Sequence, residues 1–242
     1  MEILIYIIGG LLAGIATGLV GLSAATIIAP MFATFLGMDP YLAIGIALAS
    51  DIFASATSTV IYVSHKNIDL KKAAVFAVFV ILFTIVGSYL SQNMKPYNLK
   101  STINIFVFVL GLRFLVYPVK NRAQSKIMKQ GKLLVAQTII WGIVIGMING
   151  YFGAGGGLSM LAVLTMLMGY DLKKAVGTSV AIMTITALVG SGTHIVIGGT
   201  FWLPLVITCI AAFVGANMSS VFANRISNIV LNRVIGIFLL LY

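Results

Sequence analysis

The chain alternates between long runs of apolar residues and short polar connectors. At 1.5 Å per residue, most of the apolar runs have the length needed to cross or deeply enter a hydrocarbon layer about 30 Å thick. The one long polar connector, from Lys120 to Lys132, divides the runs into two sets of five. We predict transmembrane or membrane-entering helices at 3–20, 24–37, 41–63, 71–92, 100–117, 133–151, 156–168, 172–197, 201–222 and 228–242.

The second set of segments repeats the first. An ungapped shift of 132 positions superposes six glycines and one aspartate of the first set on residues of the same type in the second, which indicates an internal duplication. We therefore predict an N-terminal repeat at 1–118, a basic connector at 119–132 and a C-terminal repeat at 133–242. The matching residues are Gly10, Gly14, Gly18, Gly21, Gly37, Asp39 and Gly45, with Gly142, Gly146, Gly150, Gly153, Gly169, Asp171 and Gly177.

Composition supports a membrane protein. Of the 242 residues, 60% are hydrophobic and only 8% are charged, and the mean hydropathy is +1.12. Soluble domains carry roughly 25% charged residues, so a water-soluble core cannot accommodate this chain. We predict an all-α, polytopic bundle of transmembrane helices.

The net charge of +10 indicates topology and not a nucleic-acid partner, because the basic residues gather in the connectors. If the central connector is cytoplasmic and every segment reverses direction, only Lys95 and Lys100 fall outside. This arrangement places the two repeats in opposite orientations, as in many secondary transporters. We expect a multi-pass protein of the cell inner membrane with its basic loop inside, surrounded by lipid.

Each repeat contains a glycine-rich break before a short second segment. The second repeat has five glycines within 149–157, and the first repeat has the milder break 18–25. Unwound backbone at membrane depth must face protein or water, so such breaks indicate cavities. The helix that restarts after each break presents free N–H groups and the positive end of its dipole, which favours an anion.

The spacing of these glycines resembles the pattern of a known family. The pattern Gly146-xxx-Gly150-xx-Gly153-x-Gly155-Gly156-Gly157, followed by Gly169-x-Asp171 and Ala175-Val176-Gly177-Thr178-Ser179, is similar to the sulfite exporter TauE/SafE family over nearly the whole chain. The resemblance implies a bacterial inner-membrane carrier that exports small, often sulfur-containing anions such as sulfite, sulfoacetate or thiosulfate. The first repeat departs from the pattern, because Ser23-Ala24-Ala25 stands where a glycine run is expected.

Polar residues at membrane depth supply the remaining candidates. Asp51 lies in the middle of the third segment, where a carboxylate is costly, and we expect it to carry a proton or to bind Na⁺ beside Ser50. His194, near the outer end of the eighth segment, could sense pH, but a lone histidine at a membrane boundary is more often an interfacial side chain, and we expect that role. The residues expected to bind the substrate are Gly21, Ser23, Thr26, Asn149, Gly153, Gly155, Gly156, Gly157, Thr178 and Ser179.

The chemistry-bearing residues are too few and too scattered for an enzyme. The five carboxylates are well separated, no known catalytic motif is present, and Cys209 is the only cysteine. We predict no catalysis, no cofactor and no metal. A cation-coupled carrier of another solute and an anion channel remain the alternatives, and the sequence leaves open the substrate, the direction, the coupling ion and whether a homodimer forms.

Overall fold

A computed structural model of the chain describes residues 2–90, 132–152, 156–198 and 200–241. All regular structure within these ranges is α-helical, as the sequence predicts. The predicted segment 100–117 lies outside the described residues. The helices are α1 (Glu2–Val20), α2 (Ala25–Phe35), α3 (Pro40–Ser64), α4 (Leu70–Leu90), α5 (Lys132–Phe152), α6 (Gly156–Met166), α7 (Leu172–Gly198), α8 (Trp202–Arg225) and α9 (Asn228–Leu241).

Five of these helices are long and apolar enough to cross a membrane: α1, α3, α7, α8 and the part of α4 from Ala73 to Leu90. The helices α2 and α6 have only 11 residues each, or about 16 Å at 1.5 Å per residue, which is about half of the hydrocarbon thickness. Neither is therefore long enough to cross the layer alone, as the sequence predicts for segments that follow a break.

The short helices end at related glycines. Gly37 follows α2 with a φ of 61° and Gly169 follows α6 with a φ of 68°. A left-handed conformation of this kind favours glycine, because no Cβ then meets the backbone. Asp39 comes next and caps α3: its Oδ1 accepts hydrogen bonds from the amides of Tyr41 at 2.9 Å and Leu42 at 3.3 Å.

The helices α1 and α2 form an antiparallel hairpin. At the open end of the hairpin, where α1 begins and α2 ends, the rings of Tyr6 and Phe32 meet edge to face with centroids 5.2 Å apart. Gly9 packs against Met31 at the same end. The tip of the hairpin is the break at 21–24. In the second half, α5 and α6 also run antiparallel, with Ile148 and Ser159 close to the break and Trp141 and Met166 at the opposite end of one apolar cavity.

Each hairpin packs on a helix of the other half through a row of glycines. Gly10, Gly14 and Gly18 of α1 lie against the backbone or the small side chains of α8, and the two helices run parallel. Gly142, Gly146 and Gly150 of α5 lie in the same way against α4. Small residues let helix backbones approach closely in lipid, where apolar burial gives little driving force.

The helices α3 and α7 cross at the centre of the bundle and run antiparallel. The side chains of Leu48 and Tyr62 on α3 lie beside Gly190 and Gly177 of α7, respectively. Both helices are well buried within the protein. Their central position explains why candidate polar residues of α3 and α7 can reach both hairpin tips.

Most of the described basic residues lie at one end of the bundle, which we call the basic end. Its loop at 65–69, between α3 and α4, contacts the start of α7 and the end of α8. Asn67 Nδ2 donates to Asn224 Oδ1 at 2.7 Å, and Lys173 Nζ donates to the main-chain oxygen of Asn224 at 2.8 Å. The basic residues at this end lie in the 65–69 loop, at the starts of α4 and α7 and at the end of α8: Lys66, Lys71, Lys173, Lys174 and Arg225.

Candidate functional site

The two glycine breaks touch each other inside the bundle. Gly157, in the first turn of α6, lies against the main-chain oxygen of Gly21, and a Cβ at residue 157 would overlap that oxygen. Gly21 itself has a φ of 70°, and a Cβ there would come within 2.7 Å of Ser179 Oγ. The contact therefore depends on two residues without side chains, one from each half, and α7 supplies the hydroxyl beside it.

Asp51 of α3 reaches the first break at the start of α2. Its Oδ2 accepts a hydrogen bond of 2.7 Å from Ser23 Oγ, and its carboxyl group also interacts with the main chain of Ala24 and with Thr17. Asp51 is only 2% exposed. A carboxylate here completes a helix N-terminus in the manner of an anion, because it meets N–H and O–H donors at the positive end of the helix dipole.

The second carboxylate oxygen of Asp51, Oδ1, is not hydrogen-bonded in the described part of the chain. A buried oxygen of this kind is costly as a fixed negative charge, whereas a proton would remove the charge. The predicted coupling residue thus has the environment of a group that can exchange a proton, and this role remains a prediction.

The second break has a different neighbour. Asn149, at the end of α5, is 2% exposed and its side chain lies against Gly156, so closely that a Cβ at residue 156 would displace it. The predicted site residues Gly153 and Gly155 lie outside the described residues. By the 132-residue shift, Met183 corresponds to Asp51, and the sulfur of Met183 indeed lies beside Gly157 at the start of α6. The two helix ends thus carry a carboxyl group and a thioether, respectively.

The other predicted residues are buried, but their positions differ. Ser179 lies at the contact between the breaks and donates to the carbonyl of Val176 at 2.8 Å. Thr178 faces the basic end, where its Oγ1 accepts from Asp69 N at 3.1 Å. Thr26, in the first turn of α2, is fully buried.

Ser50 does not contact Asp51 through its hydroxyl. It donates to the carbonyl of Ile46 at 2.9 Å and accepts from the thiol of Cys209 at 3.7 Å. Sequence reasoning missed Thr17, whose hydroxyl binds the carbonyl of Leu22 at 2.8 Å and so fixes the first break. A threonine immediately before the predicted break at 18–25 was the available signal.

No metal site is apparent in the described part of the chain, which contains no group of three or more His, Cys, Asp or Glu side chains able to hold an ion.

Comparison with known proteins gives a consistent result. A family model described as "Sulfite exporter TauE/SafE" matches residues 6–242. "Probable membrane transporter protein YunE" of Bacillus subtilis is 25% identical over 262 residues, covering 100% of this chain and 96% of the relative. "Probable membrane transporter protein MJ0441" of Methanocaldococcus jannaschii is 26% identical over 192 residues, covering 77% and 70%. No solved structure matches.

Proposed function

Because the chain belongs to the sulfite exporter TauE/SafE family of membrane transporters, and is a multi-pass membrane protein, we propose that it exports a small anion by alternating access. The substrate class that we propose is a small sulfur-containing anion, such as sulfite, sulfoacetate or thiosulfate. The observation that carries this proposal is the contact of Gly21 with Gly157, which brings the starts of α2 and α6 together inside the membrane layer.

The ends of these two helices explain the preference for an anion. Each presents the positive end of a helix dipole, in surroundings where water screens charge poorly. A free anion is the ligand that such an end favours. At the start of α2, the carboxyl group of Asp51 already takes this place. At the start of α6, the corresponding residue is Met183, which carries no charge, and this end is therefore the one that we assign to the substrate.

This difference between the halves supplies a coupling mechanism. An ionised Asp51 and a bound anion, each at one of two adjoining helix ends, repel each other. A proton on Asp51 removes the repulsion, so substrate and proton bind together. A dianion that moves with one proton still carries net negative charge, so the inside-negative membrane potential can drive its export. The known neighbours of the carboxyl group are Ser23 Oγ, the main chain of Ala24 and Thr17, and all three act on it as hydrogen-bond donors. Na⁺ requires lone pairs instead, and a proton is therefore the coupling ion that we propose.

Alternating access requires two ends that open in turn. We propose that the protein lies in the cell inner membrane and that its basic end faces the cytoplasm, as the positive-inside rule expects. The antiparallel pair α3 and α7, together with the reciprocal packing of α1 on α8 and α5 on α4, supports two repeats of opposite orientation. In this proposal, the two hairpin tips stay in the middle while either end opens.

The proposal is tested by flux into reconstituted liposomes. Labelled sulfite, thiosulfate, sulfoacetate and sulfate are offered with and without an imposed pH gradient. We expect saturable flux and counter-exchange of one of the first three anions, accelerated by the pH gradient and unaffected by a Na⁺ gradient. Flux that neither saturates nor exchanges would favour the channel instead, and flux that follows Na⁺ would contradict proton coupling.

Two variants locate the site. Gly156→Leu covers the first amides of α6 and displaces Asn149, so we expect it to abolish the flux. Gly192→Ala is the matched control, because a Cβ at this helical glycine meets nothing within 4 Å. If Gly156→Leu folds as the control does and still transports at the wild-type rate, the start of α6 does not bind the substrate.

A further inference from the structure

His194 lies where the sequence did not predict it. The interpretation as an interfacial side chain is wrong, because the residue is only 1% exposed and is packed inside the protein. Its ring stacks on that of Tyr41 with centroids 4.3 Å apart, and its Cβ would be 3.4 Å from a Cβ at Gly45. The main-chain groups of Gly150 and Tyr41 approach the ring as acceptors, but neither ring nitrogen has a hydrogen-bond partner of regular geometry in the described residues.

The contact of His194 on α7 with Gly150 on α5, which we call a joint, has a counterpart in the other half that is formed by a different side chain. The 132-residue shift relates His194 to Tyr62 and Gly150 to Gly18. Tyr62 Oη donates to the main-chain oxygen of Gly18 at 3.1 Å, and Tyr62 packs against Gly177, the counterpart of Gly45. Each joint thus ties a central helix to the third glycine of the hairpin in its own half. One is built with a phenol and the other with an imidazole.

The two side chains respond differently to pH. A phenol keeps its single O–H donor at all physiological pH values, whereas an imidazole gains a second N–H and a positive charge between about pH 5 and 8. The joint at Tyr62 is therefore constant. The joint at His194 can exist in a neutral and a charged form.

The surroundings of His194 decide which form the packed joint accepts. From α3 it is faced by Tyr41, a neutral phenol, and from α5 by the backbone of Gly150. Asp39 is the nearest acidic residue in sequence to Tyr41, and its carboxylate is directed at the amides of Tyr41 and Leu42. Asp51 is bound at the first break. Tyr89, near the end of α4, is exposed.

Among the residues that the structure describes, a charged imidazole in this joint would have no ionised partner. The desolvation free energy of a buried charge without an ionised partner exceeds the stabilisation that main-chain carbonyls of imperfect hydrogen-bond geometry provide. The packed arrangement of α3, α5 and α7 therefore requires the neutral ring. A proton on His194 favours any arrangement in which water reaches the ring.

We propose that His194 is a second proton-binding site, which holds the end of the bundle opposite the basic end closed while it is neutral and releases it when it is protonated. As a step of transport, this role rests on the function proposed above. The opening itself does not require any substrate.

Hydrogen–deuterium exchange tests the release directly. Labelling is carried out on the purified protein at about pH 8 and about pH 5.5, with correction for the intrinsic rate. We expect the amides of 143–150 and 41–46 to lose protection on acidification, by up to about tenfold per pH unit for one proton. In His194→Gln and His194→Tyr the protection of both segments should be independent of pH. His65→Gln, which removes the exposed histidine, should behave as the wild type does.

A second measurement keeps the test decisive if both His194 variants fail to fold. The chain has only two histidines, so His65→Gln leaves His194 as the single imidazole for NMR titration. We expect its resonances to titrate together with the loss of protection. A wild type whose protection does not change with pH, or a His194→Gln variant that responds as the wild type does, would overturn the proposal. If protection changes with pH through His194 but no anion moves in liposomes, the proposed transport function is wrong. The proposed role of His194 as a pH-dependent contact is then still supported.

Discussion

Ser23 and Asp51, which are 28 residues apart in sequence, join the tip of the first hairpin to the middle of α3 through a hydrogen bond of 2.7 Å. The hydroxyl of Ser23 is the donor and the carboxyl oxygen Oδ2 is the acceptor. A change in the charge of Asp51 therefore acts directly on the tip of the hairpin, at the place where it meets the start of α6.

A double-mutant cycle on this pair is our first prediction. Ser23→Ala should lower the free energy of unfolding by roughly 1.5–3 kcal/mol, the range for hydrogen bonds to charged groups. In the Asp51→Asn background the same serine substitution should cost less, because the acceptor is then neutral. The cycle is measured by thermal unfolding in detergent at neutral pH, with Ser64→Ala at the exposed end of α3 as control. Additive effects of the two substitutions would contradict a charged acceptor.

The glycine rows supply a second prediction. A Cβ at Gly14 or Gly150 would overlap main-chain atoms of Ala212 or Thr84, respectively. We expect Gly14→Ala and Gly150→Ala each to destabilise the protein by about 1–3 kcal/mol, as overpacking does. Gly192→Ala should be neutral or stabilising by up to about 1 kcal/mol, because alanine favours helix. Thermal unfolding monitored by size-exclusion chromatography checks all three, and equal midpoints would show that these helices can separate freely.

Met183 provides a test of the difference between the halves. Met183→Asp places a carboxylate at the start of α6, where Asp51 stands in relation to α2. We expect this variant to lose anion flux by at least about tenfold, because a second built-in charge repels the substrate. Met183→Leu is the matched control and should transport normally. Anion flux at the wild-type level in Met183→Asp would exclude the start of α6 as the substrate site.

The loop at the basic end should become more mobile when its cross-contact is removed. Asn67→Ala leaves Asn224 Oδ1 without its donor at 2.7 Å. We expect the amides of 65–69 to exchange roughly fivefold to tenfold faster, which corresponds to a net hydrogen-bond contribution of about 1 kcal/mol. Thr57→Ala, whose hydroxyl donates to the carbonyl of Phe53 within α3, should leave the exchange unchanged. Equal exchange in both variants would mean that the contact does not hold the loop.

Tyr170, between α6 and α7, gives a prediction about alkaline pH. Its hydroxyl donates to the main-chain oxygen of Asp69 at 3.0 Å. Burial, and then the negative charge of Asp69, raise the pKa of Tyr170 above its ordinary value of 10.0. The contribution of Tyr170 to stability is therefore complete below pH 10 and declines above it, because the unfolded chain ionises first. Between about pH 9 and 11, thermal unfolding of Tyr170→Phe should lose less stability than the wild type. Parallel curves would rule this linkage out.

The sequence predicted the helices well and the site only in outline. Every described helix begins and ends within about three residues of its predicted segment, because apolar length and glycine breaks are local signals. Inverted repeats predict that the starts of α2 and α6 approach each other. The particular contact of Gly157 with Gly21 could not be predicted, because an ungapped repeat relates positions without giving distances between them. His194 was misplaced for a similar reason: its position near a segment end indicated lipid headgroups, whereas α3 and α5 cover it.

The packing of α1 on α8 also has a consequence for synthesis. Gly10 contacts Thr208, so the partner of the first helix is translated roughly 200 residues later, on the order of 10 s or more at ribosomal speed. During that time the glycine face of α1 meets only lipid or the helices that are synthesised before α8. The first hairpin therefore reaches its final position late, and we expect nascent chains that end before α8 to be cleared by membrane proteases.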